Sequence, residues 1–343
     1  MKVPYLETRV GYRLSDVLEN PDPMKLRNFV PFVLHVHDDV LLGVQFNVFK
    51  CGGVALGVCL SHKVADGSTF IMFKKVWATI CRGDKNVVGP EFVSAKLFPP
   101  ENRMMESYNP MTEITTADEF AMKRFVFGPR AIEALRTKYA AGSDPDKYHQ
   151  PTRVEMLSAF IWSQFATSTQ VYARPGGAHY FMVHAVNLRT KFETPLPNSF
   201  GNIISMAVTL LVPCIGDSCH DLLPKKREAI TRIDRGYVER LRAGDNLQSS
   251  FLRQALEMYV KGEIIPLKFS SVCRFPIYEA DFGWGEPAWA AMPAMPLKNM
   301  VVFMDTKSLD GGVEAYISLK KEDMALFERD EELQAYVSPP STA

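Results

Sequence analysis

Residues 54–81 read VALGVCLSHKVADGSTFIMFKKVWATIC, an apolar run, a polar turn and a periodic apolar segment. The run 54–60 follows a partly alternating segment, 41–49, and the turn residues Lys50-Cys51-Gly52-Gly53 lie between them, which predicts a β-hairpin. Large apolar side chains then recur at spacings of three and four and predict a helix over 68–81: Phe70, Phe73, Trp77, Ile80. The stretch therefore predicts a strand, a short turn and a helix.

The turn inside this stretch, Ser61-His62-Lys63-Val64-Ala65-Asp66-Gly67, carries the first candidate for chemistry. His62 lies between the predicted strand and helix, where clefts form, and a neutral imidazole there can act as a general base near neutral pH. On spacing alone a structural interpretation is stronger, in which Asp66 caps the helix and His62 packs at the strand end. A metal site is not predicted, because no third His or carboxylate stands at a supporting spacing.

Composition excludes several classes of protein. The chain has 343 residues, 47% of them hydrophobic and 23% charged, so it is globular and long enough for about two domains. Its 39 Lys and Arg balance 39 Asp and Glu, so the sequence does not predict non-specific electrostatic binding to nucleic acid or to an anionic membrane. No signal peptide and no apolar run long enough to span a membrane is visible. The six scattered cysteines form no C-x-x-C pair, and we expect reduced thiols in a cytoplasmic protein.

The rest of the chain alternates between strand and helix patterns. Residues 84–117 are rich in Pro and Asn, lack periodicity and predict a linker. Thr152 and Glu155 form a capping box that opens a helix to about residue 167. Further strands are predicted at 119–127, 180–188, 204–212, 267–273, 299–304 and 312–319. Further helices are predicted from Pro129, over 218–262 with a break near Gly244-Asp245, and over 321–336. This order predicts an α/β class with mixed sheets.

A second motif, Asp281-Phe282-Gly283-Trp284-Gly285-Glu286-Pro287, has two glycines that flank a tryptophan. This pattern indicates a turn packed against a large ring, and we interpret it as a structural loop.

The two motifs together, in this order, resemble the two signatures of the plant BAHD acyltransferases. Segments between and after them match landmarks of the same family: Arg124-Phe125-Val126-Phe127, Thr152-Arg153-Val154-Glu155, Asn187-Leu188-Arg189, Phe200-Gly201-Asn202, Cys273-Arg274-Phe275-Pro276 and Met304-Asp305-Thr306. The resemblance covers nearly the whole chain. It is closest to the branch of vinorine synthase and other acetyl-CoA-dependent alkaloid and alcohol acetyltransferases.

The resemblance implies a two-domain, chloramphenicol acetyltransferase-like fold with mixed β-sheets and an active-site tunnel between the domains. Residues 1–83 then form the remainder of the first domain, 84–117 the crossover linker, and 118–343 the second domain. The family begins upstream, with a strand, a helix and a Tyr-Pro-Leu-Ala-Gly-Arg-like segment, and without them we expect exposed apolar faces and low solubility. The resemblance also implies that the protein is a cytoplasmic monomer.

The implied reaction is transfer of an acyl group, most closely acetyl, from coenzyme A to a hydroxyl of an alkaloid or other plant alcohol. The acyl-CoA is a co-substrate, and no permanently bound cofactor is implied. His62 matches the base of the family motif. Asp66 matches the aspartate that points away from the chemistry, with Arg189 as its buried partner, and Gly67 allows a close backbone approach.

The resemblance also assigns supporting residues. Ser270 and Ser271 resemble a hydroxyl pair that lines the tunnel, and Val272 and Arg274 belong to the same segment. Arg153 and Lys191 are further cations for the phosphates of coenzyme A, ranked below the two serines. The loop residues Asp281, Gly283 and Gly285 are implied to be structural and to lie off the reaction centre.

One substitution within the matched segments bears on activity. The family usually has tryptophan directly after the serine pair, and its indole N–H is the expected donor to the oxyanion, whereas this chain has Val272. Loss of one such donor typically costs about a hundred- to a thousand-fold in rate. Two alternatives therefore stay open: a weak or inactive homologue that binds a ligand or partner, and a hydrolase of acyl esters.

Overall fold

A computed structural model describes residues 3–32, 40–98, 119–140, 150–168, 179–211, 222–244, 257–259, 261, 263–307 and 311–338. None of the helices in these ranges is both long and apolar enough to cross a bilayer. The part of the linker beyond residue 98, Cys214, Cys219, the predicted break at Asp245 and the C-terminal tail lie outside the described residues.

The N-terminal part of the chain, before the predicted linker, builds a three-stranded sheet. Its strands are β1 (Tyr5–Val10), β2 (Leu42–Phe49) and β3 (Val54–Leu60). The strands lie in the order β1-β2-β3. Strand β1 is parallel to β2, and β2 is antiparallel to β3. The predicted hairpin is thus confirmed, and Gly52, with φ +82°, supplies the left-handed residue of its turn. Two short helices follow β1 in sequence, α1 (Leu14–Leu18) and α2 (Pro23–Leu26).

Helix α3 (Gly67–Cys81) follows β3 after a six-residue turn, as predicted. Its inward residues Phe70 and Ile71 pack with side chains of the second half of the chain, among them Val272 and Phe275. Within the predicted linker, α4 (Ser94–Leu97) follows a single bridge between Glu91 and Ser199. The linker therefore already contacts the second half of the chain.

The second half builds a six-stranded mixed sheet. Its strands are β4 (Phe120–Phe127), β5 (His179–Asn187), β6 (Ile204–Leu211), β7 (Ile264–Ser271), β8 (Met300–Asp305) and β9 (Val313–Lys320). They lie in the order β4-β9-β8-β7-β5-β6, and β5, β7 and β8 run parallel. The carboxyl ends of these three strands therefore meet at one edge of the sheet.

Helices cover one face of this sheet: α5 (Pro129–Ala140), α6 (Arg153–Ser168), α7 (Leu222–Thr231), α8 (Arg235–Arg242), α9 (Lys321–Phe327) and α10 (Glu331–Tyr336). The predicted capping box is present, because the Thr152 amide donates to Glu155 and the Glu155 amide to Thr152 Oγ1, at 2.8 and 3.2 Å. Helix α6 is the centre of the core, with Phe160, Ile161 and Trp162 almost fully buried.

The structure departs from the predicted elements in three places. Helix α8 ends at Arg242 and Gly244 has a left-handed φ of +83°, so the described part of the predicted break near Gly244 is confirmed. A second interruption, which was not predicted, lies at 232–234, because Asp234 caps α8 by accepting from the Tyr237 amide at 2.7 Å. The last helix is two helices, because Asp330 caps α10 through the Leu333 amide at 2.8 Å. Strand β1 was not predicted, since its sequence shows no apolar alternation.

Candidate active site

The turn that carries His62 is held from behind by Asp66. This carboxylate caps α3, accepting from the Thr69 amide at 2.9 Å, and is only 3% exposed. Its second oxygen accepts from the Ile203 amide at 3.0 Å. The carboxylate therefore ties the start of α3 to the start of β6, and it points into the protein rather than toward solvent.

Arg189 pairs with Asp66, as the resemblance implied. Arg189 Nη1 lies 2.7 Å from Asp66 Oδ2 and Nη2 lies 3.1 Å from Oδ1, a two-pronged ion pair with both side chains buried. The remaining donors of the guanidinium reach Ser199 O, Gly201 O and Thr69 Oγ1 at 2.9–3.0 Å. Every charged atom of the pair is thus satisfied inside the protein.

His62 lies on the exposed side of the same turn. Its carbonyl oxygen accepts from Asn202 Nδ2 at 2.6 Å, which fixes the backbone of the turn to the start of β6. Among the described residues, no side chain is hydrogen-bonded to the imidazole. The ring is therefore accessible, on a backbone anchored by Asp66 and Asn202.

The end of β7 lies against this turn. A Cβ built on Gly67 would stand 3.3 Å from Val272 Cγ1, so a larger residue there would require a small shift of the Val272 side chain. Side chains alternate between the two faces of β7. Ser270 and Val272 lie on one face, and Ser271 lies on the other face with Leu267 and Phe269, which pack against the helices. Of the two predicted serines, Ser270 therefore lies on the face of β7 that packs with α3.

The backbone amides after β7 are already occupied. The amides of Val272, Cys273 and Arg274 donate to Phe303 O, Ser271 Oγ and Asp305 Oδ2 at 2.9, 3.2 and 2.5 Å. Arg274 has a left-handed φ of +66° and an exposed side chain. None of these three amides is available as an oxyanion donor.

Arg153 is not a free cation. Its guanidinium forms an ion pair with Asp305 at 2.9 Å and donates to Gly311 O at 2.9 Å. Because Asp305 also accepts from the Arg274 amide, Arg153 supports the turn after β7. Among the described residues, no group of three potential metal ligands occurs.

The Asp281–Gly285 loop lies far along α3 from His62. Asp281 Oδ1 accepts from the Gly283 and Gly285 amides at 2.8 and 2.9 Å, and these hydrogen bonds lower the pKa of Asp281. The loop contacts the end of α3, where Arg82 donates to Asp281 O at 2.6 Å and the Phe282 and Trp77 rings are 4.9 Å apart. Trp77 and Arg82 lie ten and fifteen residues along the helix from Gly67, about 15 and about 22 Å away.

An apolar groove of about 420 Å³ lies between the three-stranded sheet and α3. Its walls include Tyr5, Val44, Phe73 and Trp77, and none of the predicted site residues lines it. Sequence reasoning also missed the roles of Thr69 and Asn202, which hold the motif in place. Their partners are distant in sequence: Thr69 Oγ1 contacts the Arg189 guanidinium and the Gly201 backbone, and Asn202 donates to the His62 carbonyl.

Comparison with known proteins places the chain in a family. The model of the Transferase family matches residues 3–334. The chain is 33% identical over 340 residues to stemmadenine O-acetyltransferase of Catharanthus roseus, covering 96% of this chain and 75% of that protein. It is 32% identical over 334 residues to vinorine synthase of Rauvolfia serpentina, covering 94% of this chain and 74% of that protein.

Solved structures agree with the sequence comparison. The crystal structure of vinorine synthase matches with a TM-score of 0.78 at 30% identity, covering 98% of this chain and 77% of that one. TRI101 of F. graminearum, complexed with ethyl coenzyme A, matches in fold with a TM-score of 0.70 at 18% identity, covering 99% of this chain and 82% of that one. The expected fold class is confirmed. The chain belongs to the Transferase family, the family of the plant BAHD acyltransferases, and is an acyltransferase.

Proposed function

We propose that the protein transfers an acetyl group from acetyl-CoA to a hydroxyl of an alkaloid or other plant alcohol, with His62 as the general base. The observation that carries this proposal is the accessible His62 imidazole on a turn anchored by the buried Asp66–Arg189 pair, next to the end of β7. Similarity to stemmadenine O-acetyltransferase and to vinorine synthase supports the same class of reaction.

The reaction needs one group that accepts and returns a proton. The neutral His62 imidazole takes the proton of the acceptor hydroxyl as its oxygen attacks the thioester carbonyl. The tetrahedral intermediate then collapses, the carbon–sulfur bond breaks, and the departing thiolate receives the proton from the imidazolium. No serine or cysteine nucleophile is needed, because the acceptor attacks directly.

Charge on the thioester oxygen needs a hydrogen-bond donor in the intermediate. Val272 has no side-chain donor, and the three backbone amides after β7 are occupied. Ser270 is half-buried on the same face of β7 as Val272, and its hydroxyl is a side-chain donor on that face. We assign it to the oxyanion, and we place the coenzyme A tunnel along this side of β7, between the domains 1–83 and 118–343.

The test combines acetyl-CoA with a panel of hydroxylated alkaloids and neutral terpenoid alcohols. Acetylated product and released thiol are measured together, because thiol release without product indicates the hydrolase. We expect His62→Ala to lower the transfer rate by about a hundred- to ten-thousand-fold while coenzyme A binding is unchanged. Lys63→Ala, a neighbour on the same turn, is the matched control. If the His62 variant keeps more than half its turnover, the proposed mechanism is wrong.

A further inference from the structure

The chain reverses direction directly after β7, in the turn 272–275. The Phe275 amide donates to the Val272 carbonyl at 3.1 Å, and the third residue of the turn, Arg274, has a left-handed φ of +66°. Glycine or asparagine is favoured at such a position, because a larger side chain makes the left-handed conformation unfavourable. An arginine adopts this conformation when surrounding contacts hold the backbone in place.

Asp305, at the end of β8, provides such a contact. Its Oδ2 atom accepts from the Arg274 amide at 2.5 Å, and its Oδ1 atom forms an ion pair with Arg153 at 2.9 Å. Arg153 is the first residue of α6 and also donates to the Gly311 carbonyl at 2.9 Å. Hydrogen bonds to a carboxylate are about twice as strong as those between neutral groups. The carboxylate therefore links the turn firmly to the start of the central core helix.

The turn 272–275 lies against the motif that carries His62. Its first and last residues, Val272 and Phe275, are the side chains closest to Gly67, at 3.3 and 3.9 Å from a Cβ built there. Gly67 directly follows Asp66, whose carboxylate holds the His62 turn from behind. A displacement of the turn 272–275 therefore changes the spacing between the end of β7 and the His62 turn.

Asp305 acts on this spacing from the other face of the sheet. Side chains alternate along β8, and Val301 and Phe303 pack against the helices, so Asp305 lies on the side that the helices cover. Ser270 and Val272 lie on the opposite face of the sheet. The Asp305 carboxylate therefore influences that face through the backbone of the turn.

We propose that Asp305 is a positioning residue for acyl transfer. Through the Arg274 amide it fixes the turn 272–275, and with it the end of β7, opposite His62. This assignment rests on the proposed function, because it places the acyl donor beside the end of β7. Asp305 itself contacts neither substrate, and its contribution is the geometry of the segment that does.

The test compares Asp305→Ala in two backgrounds, the wild type and Arg274→Gly. The change removes the acceptor of the residue 274 amide, and we expect kcat/KM for acetyl-CoA to fall by about ten- to a hundredfold, while KM for the acceptor alcohol stays within about twofold. Glycine adopts a left-handed φ without restraint, so the same change in the Arg274→Gly background is expected to cost about twofold or less. Glu228→Ala, which removes a carboxylate from an exposed ion pair with Arg232, is the control.

Amide hydrogen exchange tests the contact without acyl transfer. The Arg274 amide is bonded to Asp305, and we expect it to exchange at least about tenfold faster in Asp305→Ala. The Val272 amide, which donates to the Phe303 carbonyl at 2.9 Å, is expected to keep its rate. If the wild type transfers no acetyl group, the proposed function is wrong, and the exchange rates still decide whether Asp305 holds the turn.

Three results would overturn the proposal. Unchanged kcat/KM or unchanged exchange in Asp305→Ala would mean that the carboxylate does not position the turn. An equal loss of kcat/KM in the Arg274→Gly background would mean that Asp305 acts through Arg153 instead. An equal rise of KM for the acceptor alcohol would mean that the variant disturbs the whole site rather than the end of β7.

Discussion

Arg189 donates from all three nitrogens of its side chain into the first half of the molecule and the loop before β6. We expect Asp66→Asn to destabilise the protein by about 3–5 kcal/mol, because it leaves the guanidinium unpaired in a buried place. Urea unfolding measures this. Asp84→Asn is the control, since its ion pair with Arg82 is 51% exposed on the Asp84 side and such pairs contribute at most about 1 kcal/mol.

The same variant separates structure from chemistry. If Asp66 only holds the turn, Asp66→Asn loses stability while the properly folded fraction keeps most of its turnover. A variant of normal stability and abolished turnover contradicts this and moves Asp66 into the reaction. Replacing both Asp66 and Arg189 by apolar residues of similar size is expected to cost less than the sum of the single changes, because neither charge is left alone.

Val272 stands where the family usually has a tryptophan donor. Val272→Trp offers an indole N–H to the oxyanion and is expected to raise the rate of the chemical step by up to about a hundred- to a thousand-fold. Single-turnover kinetics measure that step without acceptor binding. Val272→Phe is the matched control, since it adds a ring without a donor. An equal gain in the phenylalanine variant would assign the effect to packing.

Local sequence signals predict several helices and strands correctly. The hairpin β2–β3 follows from two apolar runs around a glycine turn, α3 from spacings of three and four, and α6 from its capping box. Each of these signals lies within about 20 residues of sequence. The strand order did not follow from such signals, because it depends on pairings between distant strands.

The helix boundaries that were not predicted have physical causes. Asp234 and Asp330 interrupt apparently continuous helical patterns, because each side chain satisfies a free amide at the start of a new helix. Strand β1 pairs with β2, whose residues in register lie 39 positions further along the chain, 44 against 5. In the candidate site, Asp66 and Arg189 are 123 residues apart, so the resemblance to a family connected them and spacing did not.

The sequence analysis did not predict the buried charged residues, although Glu314 is recognisable as a single carboxylate within an apolar run. Glu314 stands inside the apolar run of β9, is 2% exposed and binds Arg124 with two hydrogen bonds at 2.7 and 2.8 Å. Trp289 donates to the same carboxylate at 3.4 Å and packs against the cluster of Val10 and Phe49. This network therefore links the six-stranded sheet to the three-stranded one.

The whole molecule thus has several links between its two sheets. The Asp66–Arg189 pair, the Asp281–Gly285 loop and Trp289 each join the first half of the chain to the second. Because these links include buried charged groups, we expect the two halves to unfold in one transition rather than separately. If unfolding is a single transition, a buried charge anywhere in the core changes the free energy of unfolding of the whole protein.

Lys226 is such a charge. It is 1% exposed between α6 and α7, and its ammonium donates to the Val154 carbonyl at 3.2 Å. Burial lowers the pKa of Lys226 from 10.5 to about 7. Below pH 7 both folded and unfolded chains bind this proton. Above it the folded chain releases the proton while the unfolded chain keeps it, so the free energy of unfolding rises with pH.

The rise is expected to reach up to about 1.4 kcal/mol per pH unit between about pH 7 and pH 8.5. Lys74, whose pKa burial lowers to about 8, adds only to the upper part of this window. Cys59 and Cys273, whose pKa values burial raises to about 11, oppose the rise only above about pH 9.

Urea unfolding at constant ionic strength measures the slope. Lys226→Met is expected to flatten it and to raise stability at pH 7, because methionine carries no charge to bury, whereas Lys225→Met, at the exposed neighbour, keeps the wild-type slope. An unchanged slope in the Lys226 variant would mean that other groups carry the pH dependence.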